Sequence, residues 1–284
     1  LTVDELKVNL IKNEHGIANW LKGQNTEQVK EEDSSSELLA FFLGGVNIKN
    51  SEIKFHDEAS KRTIIASDIN IKVSELSFEK PIELVGSTKF ADTEQELSGN
   101  AEVLGTITYG LKEKIYMFNG IKLYGKIKSR KIRLTEEDFS LFFEGKIEQE
   151  GQYLTINKLQ LSGLKTNLTA SVNRLPLGRD QTNTSGMVKF NSKDLSKPIG
   201  IWAPNLSMAL GKKKQKANLN FEFEADLQEG NFKIRNVDAL ALGTAIKGNF
   251  KAENMFSSKP NINGSLKINS RDFLPLLTIQ QRFD

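Results

Sequence analysis

Apolar residues return at every second position through most of this chain, and that rhythm fits one kind of element: a strand, whose side chains point alternately to its two faces. Ile53 and Phe55 alternate with Glu52, Lys54 and His56, and Ile69, Ile71 and Val73 alternate with Asp68, Asn70 and Lys72. The pattern recurs in Leu97-Gly99-Ala101-Val103, Ile115-Met117, Ile121-Leu123-Gly125-Ile127 and Phe139-Leu141-Phe143. It continues in Leu154-Ile156, Leu159-Leu161, Leu168-Ala170-Val172, Val188-Phe190, Leu219-Phe221-Phe223-Ala225, Phe232-Ile234 and Leu266-Ile268. Short polar or glycine-containing stretches such as Asn13-Glu14-His15-Gly16, Glu150-Gly151 and Glu229-Gly230 separate the runs, spaced as hairpin turns are. The expected fold is mainly β: an elongated, curved antiparallel sheet, either a repeating β-groove or an open β-sandwich, with a few short helices.

Helical signals are brief. "NSKDLSKPIGIW" and "NSRDFLPLLTIQQ" place Asp194 and Asp272 before short apolar runs that contain a proline, and Ser36 is a candidate cap for "SSSELLAFFL". The first two segments belong to an internal repeat. "GMVKFNSKDL" from Gly186 matches "GSLKINSRDF" from Gly264, 78 residues on, and "GQYLTINKLQLSGLKTNLTASV" from Gly151 pairs more loosely with "GNFKIRNVDALALGTAIKGNF" from Gly230. A multi-strand unit used twice grows in one direction and presents a continuous surface. The expected division is an N-terminal segment over 1–110 and a continuing segment over 111–284, with repeats at about 151–229 and 230–284, the two forming one domain or two.

The 284 residues can bury a substantial core. A net charge of +3, from 39 basic and 36 acidic residues, lacks the basic excess that phosphate neutralisation requires, so no nucleic-acid partner is expected. With no cysteine and only His15 and His56, thiolate metal sites and cysteine nucleophiles are excluded, and neither metal nor cofactor is expected. The longest apolar run, "LLAFFLGGV" from Leu38, is about half of what a bilayer-spanning helix needs. The sequence starts at Leu1 without a signal-like stretch, and an upstream targeting or membrane segment is expected.

Candidate chemistry is sparse. His56-Asp57 sits where a strand gives way to a charged turn, and Glu136-Glu137-Asp138 has no neighbour that would set one carboxyl apart from another. Neither GxxxxGK[ST] nor GxGxxG occurs, so no enzyme is expected. Two basic clusters stand out: "KIKSRKIR", with Lys126, Lys128, Arg130, Lys131 and Arg133, and "GKKKQK", with Lys212, Lys213 and Lys214. They read either as contacts to anionic head groups, at about 1 kcal/mol per basic residue, or as edge and loop charges that block sheet-to-sheet pairing. The apolar face itself is the informative feature. Ile53, Phe55, Ile69, Ile71, Val73, Leu219, Phe221, Phe223, Leu266 and Ile268 are its candidate lining, and alternation alone leaves open whether they line a trough or a sealed core.

Motifs in order along the chain resemble the AsmA family of bacterial envelope proteins. They are "LTVDELKVNLIKNEHGIANW" ending in Gly16 to Trp20, then the strand with Ile48, Asn50, Ser51, Ile53, Phe55 and Asp57, then Asn191 to Leu195 in "NSKDL", and the closing "NINGSLKINSRDFLPLL". The resemblance implies a periplasmic module, anchored in the inner membrane of a Gram-negative bacterium by an N-terminal helix upstream of Leu1. It implies kinship with TamB and with bridge-like lipid-transfer proteins, and a repeating β-groove that carries phospholipid to the outer membrane and supports its homeostasis. In this reading the partners are phospholipid or another envelope lipid, bacterial membranes and envelope proteins. Two alternatives remain at this level: a non-enzymatic scaffold influencing outer-membrane protein assembly, and a carbohydrate-active enzyme on a β-solenoid.

Overall fold

Each alternating run becomes a strand that buries neither face fully. The computed structural model describes residues 1–21, 45–75, 80–131, 133–148, 152–177, 183–202, 216–241, 243–257 and 259–270. The strands are β1 (Thr2–Asp4), β2 (Lys7–Lys12), β3 (Val46–Asp57), β4 (Arg62–Val73), β5 (Ile82–Asp92), β6 (Leu97–Gly110), β7 (Ile115–Ser129) and β8 (Leu134–Glu148). They continue as β9 (Tyr153–Gly163), β10 (Thr166–Pro176), β11 (Asn183–Ser192), β12 (Ala217–Asp226), β13 (Asn231–Ala241), β14 (Thr244–Glu253) and β15 (Asn261–Ser270). From β3 onward every strand is hydrogen-bonded to its successor in sequence, while β1 and β2 both pair with β3, in parallel. The chain is thus mainly β and mostly antiparallel. It divides into two compact units, Leu1–Tyr109 with Gly120–Asp138, and Gly110–Asn119 with Phe139–Asp284.

Two pairs of runs that read as separate strands are continuous. Ile115-Met117 and Ile121-Ile127 both lie in β7, and Leu154-Ile156 and Leu159-Leu161 both lie in β9. The break in alternation is a bulge and not a turn: Gly120 has φ 58°, and the β9–β10 register shifts between Ala170 and Val172. Asn50 (φ 49°) and Asp68 (φ 50°) mark corresponding irregularities between β3 and β4 and between β4 and β5. Asparagine and aspartate are the residues that enter this left-handed region most readily after glycine.

Turns are closed by aspartates at strand ends. Asp57 Oδ1 accepts the Ala59 and Ser60 N–H groups, Asp92 Oδ1 those of Glu94 and Gln95, and Asp226 Oδ1 those of Gln228 and Glu229. Asp92 is only 7% exposed, and its Oδ2 also accepts from Arg62 Nε at 3.0 Å, tying the start of β4 to the end of β5. Arg62 is held charged above its ordinary range by that hydrogen bond, against a smaller opposing effect of burial. Arg62→Ala leaves a buried carboxylate without its cation. Because the arginine side chain is 39% exposed and water can replace it, the expected loss is about 1–2 kcal/mol, read as a lowered urea midpoint at unchanged slope.

The repeat is real in three dimensions. Ser140 pairs with Ser162 and Asn218 with Leu240; Thr166 pairs with Ser192 and Thr244 with Ser270, so β8–β11 superpose in register on β12–β15 at the offset of 78 seen between residues 186 and 264. Even a side-chain bond repeats: Thr166 Oγ1 donates to Ser192 Oγ at 2.9 Å, and Thr244 Oγ1 and Ser270 Oγ lie 2.8 Å apart. The sequence match of Gly151 with Gly230 is one residue out of step. By register Tyr153, opposite Glu148, corresponds to Asn231, opposite Asp226, and the unit begins at β8 and β12.

One predicted helix is present as α1 (Ser196–Trp202), entered through Asp194, whose Oδ1 accepts from Ser196 Oγ at 2.6 Å. Pro198 falls in its first turn, where no N–H is needed, and is fully buried. The segments around Ser36 and Asp272 lie outside the described residues. Among the described residues no helix is long and apolar enough to cross a membrane.

Candidate functional site, an uncovered apolar face

Directly paired residues in a ladder share a face, so the registers define which side chains stand together. In the first unit, Val8, Ile53, Ala66, Phe90 and Gly99 form one row across β2 to β6. Val3, Ile48, Ile71, Gly86 and Val103 form another, and Val46, Val73, Leu84 and Gly105 a third. Ile69 stands opposite Ser51, in the same phase as Ile71 and Val73, and Phe55 opposite Ile64 and Leu10. The bulges at Asn50 and Asp68 bring this about. Without them Ile48 and Ile53 would point to opposite sides.

The second unit is more regular. Leu141, Leu161, Leu168, Phe190, Leu219, Ala239, Ile246 and Ile268 make one unbroken row from β8 to β15. Seven strand spacings of about 4.8 Å give it a length of about 34 Å. Beside it run Phe143, Leu159, Ala170, Val188 and Phe221, and then Ile156, Val172, Gly186, Phe223, Ile234, Phe250 and Gly264. The reverse side of the same strands carries Gln160, Thr169, Lys189, Asn220, Asp238, Lys247 and Lys267. Its ion pairs, Lys247 with Asp238 and Arg235 with Glu224, confirm that it faces water.

Nothing among the described residues covers the apolar side. Apart from Pro198, the large nonpolar side chains buried among the described residues are Ile69, Ile82, Leu134 and Tyr153; the other buried nonpolar side chains among them are alanines. A sandwich would bury whole rows of Leu, Ile and Phe from its two sheets. Here Phe55, Ile71, Val73, Leu219, Phe221 and Phe223 are half-buried, and Ile53, Leu266 and Ile268 are 39%, 50% and 54% exposed. Each unit therefore brings its candidate lining residues to one face, which the described residues leave uncovered. Trp20, whose ring lies 6.0 Å from that of Phe55, adds an aromatic that alternation could not signal, because it belongs to a short helical turn (Asn19–Leu21).

The basic cluster lies elsewhere. Tyr124 Oη donates to Glu102 on the polar side of the first unit, which raises the tyrosine above its ordinary range. Lys126, two residues on, pairs with Glu136 at 3.1 Å and is likewise raised, chiefly by that hydrogen bond. Lys126 and, in the same phase, Lys128 thus point away from the apolar rows. Arg130, Lys131 and Arg133 occupy the turn between β7 and β8, where Lys131 Nζ donates to the Glu94 carbonyl and an open hollow of about 770 Å³ mixes Arg130, Arg133 and Lys128 with Asp92 and Glu96. Lys212, Lys213 and Lys214 lie outside the described residues.

His56 and Asp57 have structural partners. His56 Nδ1 is 2.9 Å from Thr63 Oγ1, opposite it in β4, and Asp57 Oδ2 is 3.3 Å from Lys12 Nζ. Asp57 is held below its ordinary pKa, first by the Ser60 N–H; desolvation opposes this, and Lys12 and the Ala59 N–H add to the lowering. A carboxylate lowered in this way stabilises the fold above its unfolded pKa, and the contribution disappears as pH falls through the lowered folded value. The stability gap between the parent and Asp57→Asn is accordingly expected at pH 7 and should close in acid. A gap that persists at low pH would show that the charge is not its source. Among the described residues no group of three or more His, Asp or Glu is placed to hold a metal ion. Compared with protein-family models, curated proteins and solved structures, the chain matches none.

Proposed function

We propose that this chain is a lipid-binding and lipid-conducting β-groove module of the AsmA kind, acting in the periplasm as part of an inner-membrane-anchored protein and supplying phospholipid to the outer membrane. The observation that carries this reading is the set of apolar rows, above all the one from Leu141 to Ile268, left without a covering layer by the described residues. A row of about 34 Å exceeds the roughly 30 Å hydrocarbon thickness of a bilayer, room for two acyl chains end to end.

The mechanism needs no reacting group. A 16-carbon chain leaving a membrane exposes methylenes at about 0.8 kcal/mol each, so about 12 kcal/mol opposes its passage through water. Leu219, Phe221, Phe223 and their neighbours offer an apolar surface along which the chain slides without paying that cost. The sheet is open, so the head group stays hydrated while the tails lie on the face. In this reading Arg130, Lys131 and Arg133, in the turn between β7 and β8, meet anionic head groups at the membrane where lipid enters or leaves. The test is solvent extraction of the purified chain followed by mass spectrometry. Phospholipid near one or more molecules per chain is expected, and a delipidated protein that stays folded and takes up no lipid from vesicles would overturn the reading.

A further inference from the structure

In the first unit Lys89 pairs with Asp68 at 2.7 Å, Lys126 with Glu136 at 3.1 Å, and Arg62 with the buried Asp92. Lys128 and Arg130 are different: neither side chain makes an ion pair or a hydrogen bond among the described residues. Both line the open hollow of about 770 Å³ beside the β7–β8 turn, together with Arg133. Of the two carboxylates that also line it, Asp92 is held by Arg62, which leaves Glu96 alone against three cations.

The hollow lies between two turns that are tied to each other. Ser129, 3% exposed, donates its hydroxyl to the Gln95 carbonyl at 2.9 Å, the Arg130 N–H donates to the Glu96 carbonyl at 3.3 Å, and Lys131 Nζ donates to that of Glu94 at 3.0 Å. The cations therefore stand on a fixed frame. Leu134, 4% exposed, joins Ala91 and Leu97 to give the hollow an apolar floor. An apolar lining with a few placed polar groups is how small-molecule sites of about 300–1,000 Å³ are made. Ala91 and Ser98, paired with each other, are one residue away from Phe90 and Gly99, so this part of the lining faces away from the apolar rows.

We propose that this hollow is a binding site for a phosphate-bearing organic anion. Two arginines and a lysine match the charge of about −2 and the several acceptor oxygens of a phosphate monoester at neutral pH, the guanidinium groups through paired N–H donors and the ammonium as a point charge. The apolar floor receives the organic part of the ester. Such a phosphate reaches the hollow either as the head group of a lipid still in a membrane or as a small soluble ester. The site goes beyond lipid carriage and does not rest on it, because acyl chains lie on the opposite side of the sheet in that reading.

The probes are glycerol 3-phosphate, and vesicles of phosphatidylcholine with and without phosphatidic acid, each titrated against the whole chain, with backbone amide shifts locating the soluble ester. Saturable binding of one probe or both is expected, with the ester shifting amides in 92–98 and 128–135. A response to the ester identifies a soluble ligand, and a response to the phosphatidic acid vesicles alone identifies a lipid head group. Arg130→Gln changes an exposed side chain, so the urea midpoint should hold while binding weakens about tenfold, the worth of a charge-assisted hydrogen bond. Glu96→Gln removes the opposing charge and should tighten binding. Lys122→Gln makes the same change of charge at an exposed position of β7 outside the hollow, and should alter binding by less than about twofold. Failure of both probes to bind would overturn the proposal. So would equal weakening by Arg130→Gln and Lys122→Gln, because the charge of the chain and not the hollow would then hold the anion. Solvent extraction reads the other side of the sheet, so lipid carriage and this site can each fail alone.

Discussion

Changing Ile71 or Phe221 to Asp is expected to reduce bound phospholipid at least tenfold while leaving the strands intact. Both residues sit mid-row on the apolar face: Ile71 between Ile48 and Gly86, and Phe221 opposite Val188 with the Phe223 ring 6.2 Å away. Both are half-buried, so in the lipid-free protein a carboxylate there reaches water, and its cost to folding stays modest. With an acyl chain laid across it the carboxylate loses that water, a penalty of several kcal/mol that a few displaced methylenes do not offset. The control is Asn220→Asp, one residue from Phe221 but on the reverse side with Lys189 and Asp238, where lipid content should not change. Equal loss from both variants would mean that the effect is on folding and not on a binding face. No loss from Ile71→Asp or Phe221→Asp would remove the apolar rows from the mechanism.

The largest stability effect is expected from Gly99→Val, about 3 kcal/mol. Gly99 lies in β6 directly opposite Phe90, and a Cβ there would collide with the Lys126 carbonyl oxygen of β7 and come within 2.6 Å of Phe90 Cζ. One obstacle is backbone, so a rotamer change cannot relieve the contact, and the β6–β7 ladder must open or the strand must shift. Urea unfolding followed by far-UV circular dichroism measures it. Gly243→Ala serves for comparison: a Cβ there meets nothing within 4 Å, but φ is 77°, so only the smaller cost of a left-handed backbone is expected. Should Gly99→Val cost no more than Gly243→Ala, the close approach of β6 and β7 would be wrong.

The strand content and the choice of apolar face were legible because alternation with period two is a direct image of the pleat. Ile69-Ile71-Val73 and Leu219-Phe221-Phe223 fall on the faces that their hydrophobicity indicates. Phase was not legible. Whether Ile48 and Ile53 share a side depends on one inserted residue, Asn50, adopting φ 49°, and an asparagine between a lysine and a serine could as readily have sat in extended backbone. The same ambiguity split β7 at Gly120. Pairing direction at the N-terminus was hidden too, because β1 and β2 join β3 in parallel across the long stretch between Lys12 and Val46, and parallel partners need such a crossover. The openness of the face could not be read at all, since a sealed sandwich and a bare sheet require identical alternation. It became visible only through what is not buried, with alanines filling most of the short roster of buried nonpolar residues.

From β3 to β15 each strand pairs with the one just made, and this order has a bearing on how the chain comes into being. A protein whose partners are far apart in sequence must wait for the last segment and meanwhile bear the entropy of large loops. This chain can zip. From β3 onward each hairpin closes as soon as its second strand emerges and the new strand becomes the template for its successor, while β1 and β2 wait for β3 across the stretch between Lys12 and Val46. Folding then runs in the direction of synthesis, with one raw edge at the growing front at any moment. The module is assembled by addition, and lengthening it by another four-strand unit would leave every earlier step of its folding unchanged.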